Sequence, residues 1–355
     1  MREFYRAGVP LLFALSIIVT GCNFGGDKTM NETDPPPVSY VDEGVSFDST
    51  EGLEEEVEES SEEMTTETVT RELYLIDQNG LVAPQAITLP KEEGVAKQAV
   101  EYLVKDGPVT QLLPNGFQAV LPPGTEVLGV NVAEGVAVVD FSEEFKEYHP
   151  DEELKILQAI TWTLTQFDSV DEIKVRINGY DQEMMPANGT PIGDGFSRLN
   201  GINMETDKVV DLVNSKSVTL YFLAQNGQNY YYVPVTRRVN SSEDQLTAVV
   251  SQLLAGPSSF SNLLTDFRHG VELLDDPRYA NGVVTLNFNE SLLNHIEGTA
   301  ISDEVLNLLV LSLTEQPGVD KVAIQVNGDS EVLMASGEFL SEPVSRPLKV
   351  NAVSY

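Results

Sequence analysis

The residues best suited to chemistry are three carboxylates after a short apolar run: Asp140, Glu143 and Glu144. Carboxylates at this spacing could serve as the acid and base of glycoside hydrolysis, which makes a glycan the first substrate class to weigh. The rest of the inventory is thin. There are three histidines, His149, His269 and His295, and no HxxxH spacing, Gly-x-Ser-x-Gly elbow or phosphate loop. The stretch from Gly189 to Gly195 has neither the Lys nor the following helix that a nucleotide site needs, so it reads as loop. A single cysteine, Cys22, excludes an intrachain disulfide and any cysteine-clustered metal site. No catalytic, cofactor or metal constellation emerges, and the chain reads as a non-enzyme. Arg198 and Arg346 remain, each following a serine in an acidic chain. Their guanidiniums suit a buried ion pair that anchors the tail, or a contact to a carboxylate or glycan of a partner.

These positions sit in a duplicated frame. Leu73 to Gly80 returns as Leu220 to Gly227 at an offset of 147, and Gly107-Pro108 returns as Gly256-Pro257 at 149. Val136 to Phe141 answers Val283 to Phe288 at 147, and Ser197-Arg198 answers Ser345-Arg346 at 148. Matches in one order with so little drift mark two copies of one domain. The carboxylates fare poorly in this comparison, because Asn287, Glu290 and Ser291 stand at the positions of Asp140, Glu143 and Glu144. Ser142 and Asn289 read as caps where a strand gives way to a turn.

Each copy opens with a predicted hairpin, over 73–77 and 82–88 and again over 219–224 and 229–235, each turning at Asn-Gly. A helix is expected at 92–106 and 243–255, the second capped by Ser241 or Ser242 and both stopped by Gly-Pro. Strand pairs follow at 126–132 with 136–141 and 271–275 with 282–288, where alternation puts Ala137, Val139 and Phe141, or Val284, Leu286 and Phe288, on one core face. A longer helix is expected at 151–167 and 303–315, the latter capped by Ser302, then a strand at 172–177 and 321–326. The fold class is α+β, two tandem copies of a mixed-sheet β-β-α-β-β-α-β domain. Trp162 on the long helix is expected in the core or between domains. The Tyr230-Tyr231-Tyr232 run is explained by alternation on a hairpin strand and is also the nearest candidate for stacking on a sugar.

The N-terminus has Arg2 and Arg6, an apolar run from Ala7 to Val19, and then Thr20-Gly21-Cys22. That is an export signal too short to span a bilayer, with Cys22 placed as in a bacterial lipobox. Acyl chains on Cys22 would tether the protein to the outer face of a membrane. Between Asn23 and Thr70, fifteen Asp and Glu residues accompany Lys28 as the only base, a composition that cannot build a core. The expected organisation is a signal peptide at 1–22, a disordered acidic linker at 23–70, domains at 71–203 and 218–355, and a linker at 204–217. A net charge of −35 argues against nucleic acid as a partner, since a polyanion calls for a basic surface.

The Cys22 lipobox, the acidic stem and two domains carrying Leu-Pro-Pro-Gly-Thr (121–125), Val-Val-Asp-Phe-Ser (138–142), Asn-Gly (178–179) and a Ser-Arg tail resemble the GerMN-domain family of sporulation and germination lipoproteins. The resemblance covers residues 71–355, and the second copy departs from it at Asn287. It implies domains similar to ring-building motifs, in a protein on the mother-cell membrane of a Bacillus-type spore former, facing the intermembrane space around the forespore. By the same likeness the chain would help assemble or localise the channel complex there, with channel proteins as partners and peptidoglycan as a further contact. An enzyme of peptidoglycan remodelling and a glycan- or solute-binding lipoprotein are the alternatives. The family offers no catalytic residues to carry over. A monomer is expected in dilute solution.

Overall fold

The computed structural model describes residues 67–206, 211, 213–293 and 298–352. The leader 1–22 with Cys22, and the stem as far as residue 66, lie outside the described residues. The first copy begins with an antiparallel hairpin of β1 (Thr68–Ile76) and β2 (Val82–Pro90), in which Leu73 faces Gln85 and Tyr74 faces Pro84. The Asp77 carboxylate accepts the N–H groups of Asn79 and Leu81, both at 2.8 Å, and holds the turn. The first helix, α1 (Val95–Glu101), is shorter than the 92–106 expected. Lys105 donates its N–H to the Leu121 carbonyl at 3.0 Å, so a long-range pairing takes a donor that the next helical turn would give to the Glu101 carbonyl.

The sheet of this copy runs in the order β3 (Val127–Ala133), β4 (Gly135–Phe141), β5 (Val170–Ile177) and β6 (Tyr180–Asp181), and β7 (Phe196–Ser197) also pairs with β5. The β3–β4 pairing is antiparallel and β4–β5 parallel, with α2 (Glu153–Leu164) as the crossover. The β3–β4 turn depends on Gly135, which sits at φ 82° where a Cβ would strike the Asp171 carboxylate. The expected alternation holds: Ala137, Val139 and Phe141 are fully buried.

The second copy repeats the plan. β8 (Ser215–Asn226) and β9 (Asn229–Asn240) form its hairpin, with Leu220 facing Val235 and Tyr221 facing Pro234. β1 therefore corresponds to β8 at an offset of 147 and β2 to β9 at 150, which puts three extra residues at the second hairpin tip. α3 (Gln245–Leu254) is capped by Asp244, whose carboxylate accepts the Thr247 N–H at 3.0 Å; the cap is neither Ser241 nor Ser242. β10 (Arg278–Ala280) replaces the strand expected at 271–275. Leu273 makes one isolated bridge to Phe288, and Asp275-Asp276-Pro277 then interrupts the ladder, since Pro277 has no N–H to donate.

β11 (Val283–Phe288), α4 (Asp303–Thr314) and β12 (Lys321–Val326) complete the parallel crossover, and Ser302 caps α4 through the Val305 N–H at 3.2 Å. Short strands β13 (Val332–Leu333), β14 (Phe339–Leu340) and β15 (Val344–Ser345) follow, the last on the edge of β12. The architecture is α+β in tandem copies. Residues 63–355 form one compact unit whose buried apolar cluster is continuous across both copies, with Trp162 fully buried in it.

Candidate functional site

Asp140 lies near the end of β4, where its Oδ1 accepts the N–H of Gly179 at 2.9 Å. In the second copy Asn287 Oδ1 accepts the N–H of Gly328 at the same 2.9 Å. Both residues pin the Asn-Gly turn that ends the neighbouring strand, a task needing an oxygen acceptor and no negative charge. Glu143 accepts from Lys146 at 2.7 Å and from the Asn178 amide at 3.1 Å. The Ser142 hydroxyl holds the exposed Glu144 carboxyl below its ordinary pKa. The three carboxylates are thus committed to turn and surface contacts. Ser142 and Asn289 do not cap the following turns: Ser142 Oγ accepts the Glu126 N–H at 3.0 Å, and Asn289 Oδ1 the Glu272 N–H at 3.3 Å. Each staples the end of its strand to the preceding segment.

Arg198 and Arg346 converge on one residue. Glu315 caps the C-terminus of α4 and is 7% exposed; its Oε1 lies 2.6 Å from Arg198 Nη1 and its Oε2 3.2 Å from Arg346 Nη1. Arg198 belongs to the first copy and reaches across to Glu315 of the second. Its guanidinium stacks over Trp162 at 4.3 Å and donates to Thr165 Oγ1 at 2.7 Å. Arg346 lies over Tyr221 at 5.2 Å and donates to its hydroxyl at 2.8 Å, and that hydroxyl donates to Glu315 at 3.2 Å. Burial pushes the Glu315 carboxyl up, but the two guanidiniums outweigh it and hold the group below its ordinary value. Burial likewise opposes the Arg198 charge, and Glu315 reverses the balance.

Two asparagines complete the seam, and neither was a sequence candidate. β2 packs against β9, and each strand carries a proline, Pro84 or Pro234, that cannot donate a ladder bond. Side-chain amides bridge instead. Asn203 accepts the Val82 N–H at 2.9 Å and donates to the carbonyls of Val82 at 2.7 Å and Pro234 at 2.8 Å. Asn351 does the same from the other side, with Tyr232 N–H, Tyr232 carbonyl and Pro84 carbonyl, all at 2.8 Å. Both take left-handed backbone, at φ 44° and 56°, which asparagine tolerates better than most residues. Their offset of 148 is that of the Ser-Arg pair, so extending the repeat four residues beyond Leu199 would have found them.

Two further carboxylates carry structure. Tyr231 donates to Asp77 Oδ2 of the other copy at 2.7 Å, with Phe117 packed edge-on to its ring. This buries the middle of the tyrosine run in the seam. Glu153, fully buried at the start of α2, accepts the N–H groups of Ala187, Asn188 and Thr190 and the Tyr148 hydroxyl within 2.7–2.9 Å. Burial raises its pKa, yet these bonds win and leave it lowered. Among the described residues no group of histidine, cysteine and carboxylate side chains is arranged to hold a metal.

The pseudo-twofold seam repeats the internal duplication in three dimensions, and comparison with known proteins finds the same two units. The family described as "Germane: Sporulation and spore germination" matches residues 72–183 and 219–332. The chain belongs to the Germane family. A curated relative, the spore germination protein GerM of Bacillus subtilis strain 168, is 48% identical over 350 residues, covering 96% of each chain. The solved tandem GerMN domains of the sporulation protein GerM from Bacillus subtilis are 53% identical and superpose with a TM-score of 0.76, covering 80% of this chain and 99% of theirs. In this member of the Germane family, then, both domain copies are present, and the Ser-Arg tails are tied into the seam that joins them.

Proposed function

We propose that this sporulation and germination protein is a non-enzymatic lipoprotein, anchored through Cys22 to the outer face of the membrane. There it helps assemble or localise the channel complex between mother cell and forespore. The observation that carries this reading is the welding of both domains into one unit by Arg198–Glu315–Arg346 and the two asparagine bridges. A rigid unit on a long acidic tether suits a protein that positions other proteins. The equivalence of Asp140 and Asn287 as turn acceptors adds support, because it gives the most enzyme-like carboxylate a structural duty. β3 and β10 end their sheets and offer edges to which a partner strand can add.

The test is a crosslinking pull-down of the full chain from sporulating cells, with mass spectrometry and a muropeptide assay on the same material. Recovery of channel proteins with no glycan cleavage is expected, as is release of a Cys22→Ala variant from the membrane fraction. Cleavage without channel proteins would overturn the scaffold reading. Retention of the Cys22→Ala variant in the membrane would overturn the anchor.

A further inference from the structure

The two copies are not equal at the seam. Beside Asn351 lies an open cleft of 430 Å³, and beside its counterpart Asn203 lies one of 320 Å³. The strand registers make their walls directly comparable. Gln85 in the first cleft stands where Val235 stands in the second. The three residues that lengthen the second hairpin, Gln228, Asn229 and Tyr230, all line the first cleft, and their copy-one counterparts do not exist. The Asn203 cleft instead has Leu81, Leu154, Val235 and Leu263 in its wall, and its charged groups are Asp151, Lys155 and Glu205.

Gln85 is the decisive group. It is 3% exposed, and its Nε2 has no hydrogen-bond partner. A buried amide left unpaired weakens a fold, and the valine at the equivalent position shows that the scaffold does not require one. Around it are the Asn115, Gln228 and Asn229 amides and the phenols of Tyr230 and Tyr232. Tyr230 is 53% exposed and free to present a ring face, while Asn307 donates to the Tyr232 hydroxyl at 3.0 Å. Glu304 is the sole ionisable acid of the lining, and no base accompanies it. Amides that both donate and accept, aromatic faces and the lack of a cation fit a ligand rich in hydroxyl or acetamido groups and free of negative charge. The volume falls within the range of small-ligand sites, about 300–1,000 Å³.

From this we infer that the cleft beside Asn351 is a binding site for an uncharged glycan, with Gln85, whose unpaired Nε2 is sealed from solvent here, turning its amide to donate to a sugar oxygen and Tyr230 stacking on a sugar face. The site is independent of the scaffold reading. Its failure leaves that reading untouched, because calorimetry with sugars and a pull-down of proteins report on different surfaces.

The experiment is calorimetric titration of the full chain in detergent with N,N′-diacetylchitobiose, with cellobiose, and with glucuronate as the anionic control. Saturable binding of at least one neutral disaccharide is expected with a Kd of about 1 mM or tighter. Gln85→Val and Tyr230→Ser should each weaken it about tenfold. Gln85→Val, which installs the residue of the other copy, should melt no lower than wild type. No saturable heat from either disaccharide up to about 10 mM would overturn the inference. Undiminished binding by both variants, or equal binding of glucuronate, would do the same.

Discussion

Replacing Glu315 with alanine should loosen the seam more than any other single change. The carboxylate is 7% exposed and faces two guanidiniums whose side chains are 27% and 26% exposed. Its loss leaves two cations close together with the Thr165 and Tyr221 hydroxyls and the carbonyls of Trp162 and Leu311 as their acceptors. Removing one partner of a buried ion pair costs about 3–5 kcal/mol, and the partial exposure of the arginines argues for the lower end, about 3 kcal/mol. For a unit spanning residues 63–355 that is a fall in Tm of about 5 °C, read by scanning calorimetry of the full chain in detergent. A triple variant, Arg198→Met with Glu315→Leu and Arg346→Met, should recover most of the loss, since a packed apolar replacement leaves no charge behind. The pH dependence has a definite sign. The folded carboxyl titrates below its ordinary 4.5, so its contribution is complete above that value and disappears as pH falls through the lower folded value. Wild type should therefore lose Tm more steeply than Glu315→Gln below about pH 4.5. A Glu315→Ala variant within about 2 °C of wild type at neutral pH would refute the assignment of the triad as a structural lock.

Asp140→Asn should leave Tm within about 1 °C of wild type, because Asn287 already does the same work in the other copy, while Asp140→Ala should lower it; calorimetry decides. Asn203→Ala and Asn351→Ala should each cost about 1–3 kcal/mol by stranding proline carbonyls, and double-mutant analysis should show near-additivity if the bridges act separately. Glu153→Gln should cost about 2–3 kcal/mol, since one amide oxygen cannot serve three N–H groups as a carboxylate does, and should flatten the loss of stability below about pH 4.5. Chemical denaturation at neutral and acidic pH measures both effects.

What the sequence disclosed was whatever repeats or alternates. The alternation of Val136 to Phe141 and Val283 to Phe288 specified a core face, and the structure buries Ala137, Val139 and Phe141, and Val284, Leu286 and Phe288, as expected. Ser302 is a cap in sequence and in space. The errors arise where a distant segment competes for a backbone group. α1 stops short because the Leu121 carbonyl claims the Lys105 N–H, and no local pattern at 92–106 encodes that pairing. Arg198 and Arg346 were visible as a duplicated pair, but Glu315 was not, because an acid that serves both copies occurs once and leaves no repeat. Gln85 was hidden for the opposite reason: it differs from its counterpart, and only the strand registers show that Val235 is that counterpart.

The way the copies meet bears on how the protein can assemble. A surface that builds a ring or filament must be heterologous, one face meeting a different face, so that every added unit leaves a fresh end. The seam is the opposite kind. β2 meets its equivalent β9, Pro84 and Pro234 accept from Asn351 and Asn203, and the tail segments are exchanged, Glu205 bridging to Arg237 in one direction and Ala352 to Ala86 in the other. Like meets like about a pseudo-twofold, so the contact closes on itself within a single chain and leaves no copy of that surface for a neighbour. Growth by addition at β2 or β9 is therefore blocked by the tandem arrangement itself. Any larger assembly has to engage a surface outside the seam, which directs attention to the sheet-ending strands β3 and β10, where Leu128 and Tyr279 are about half exposed.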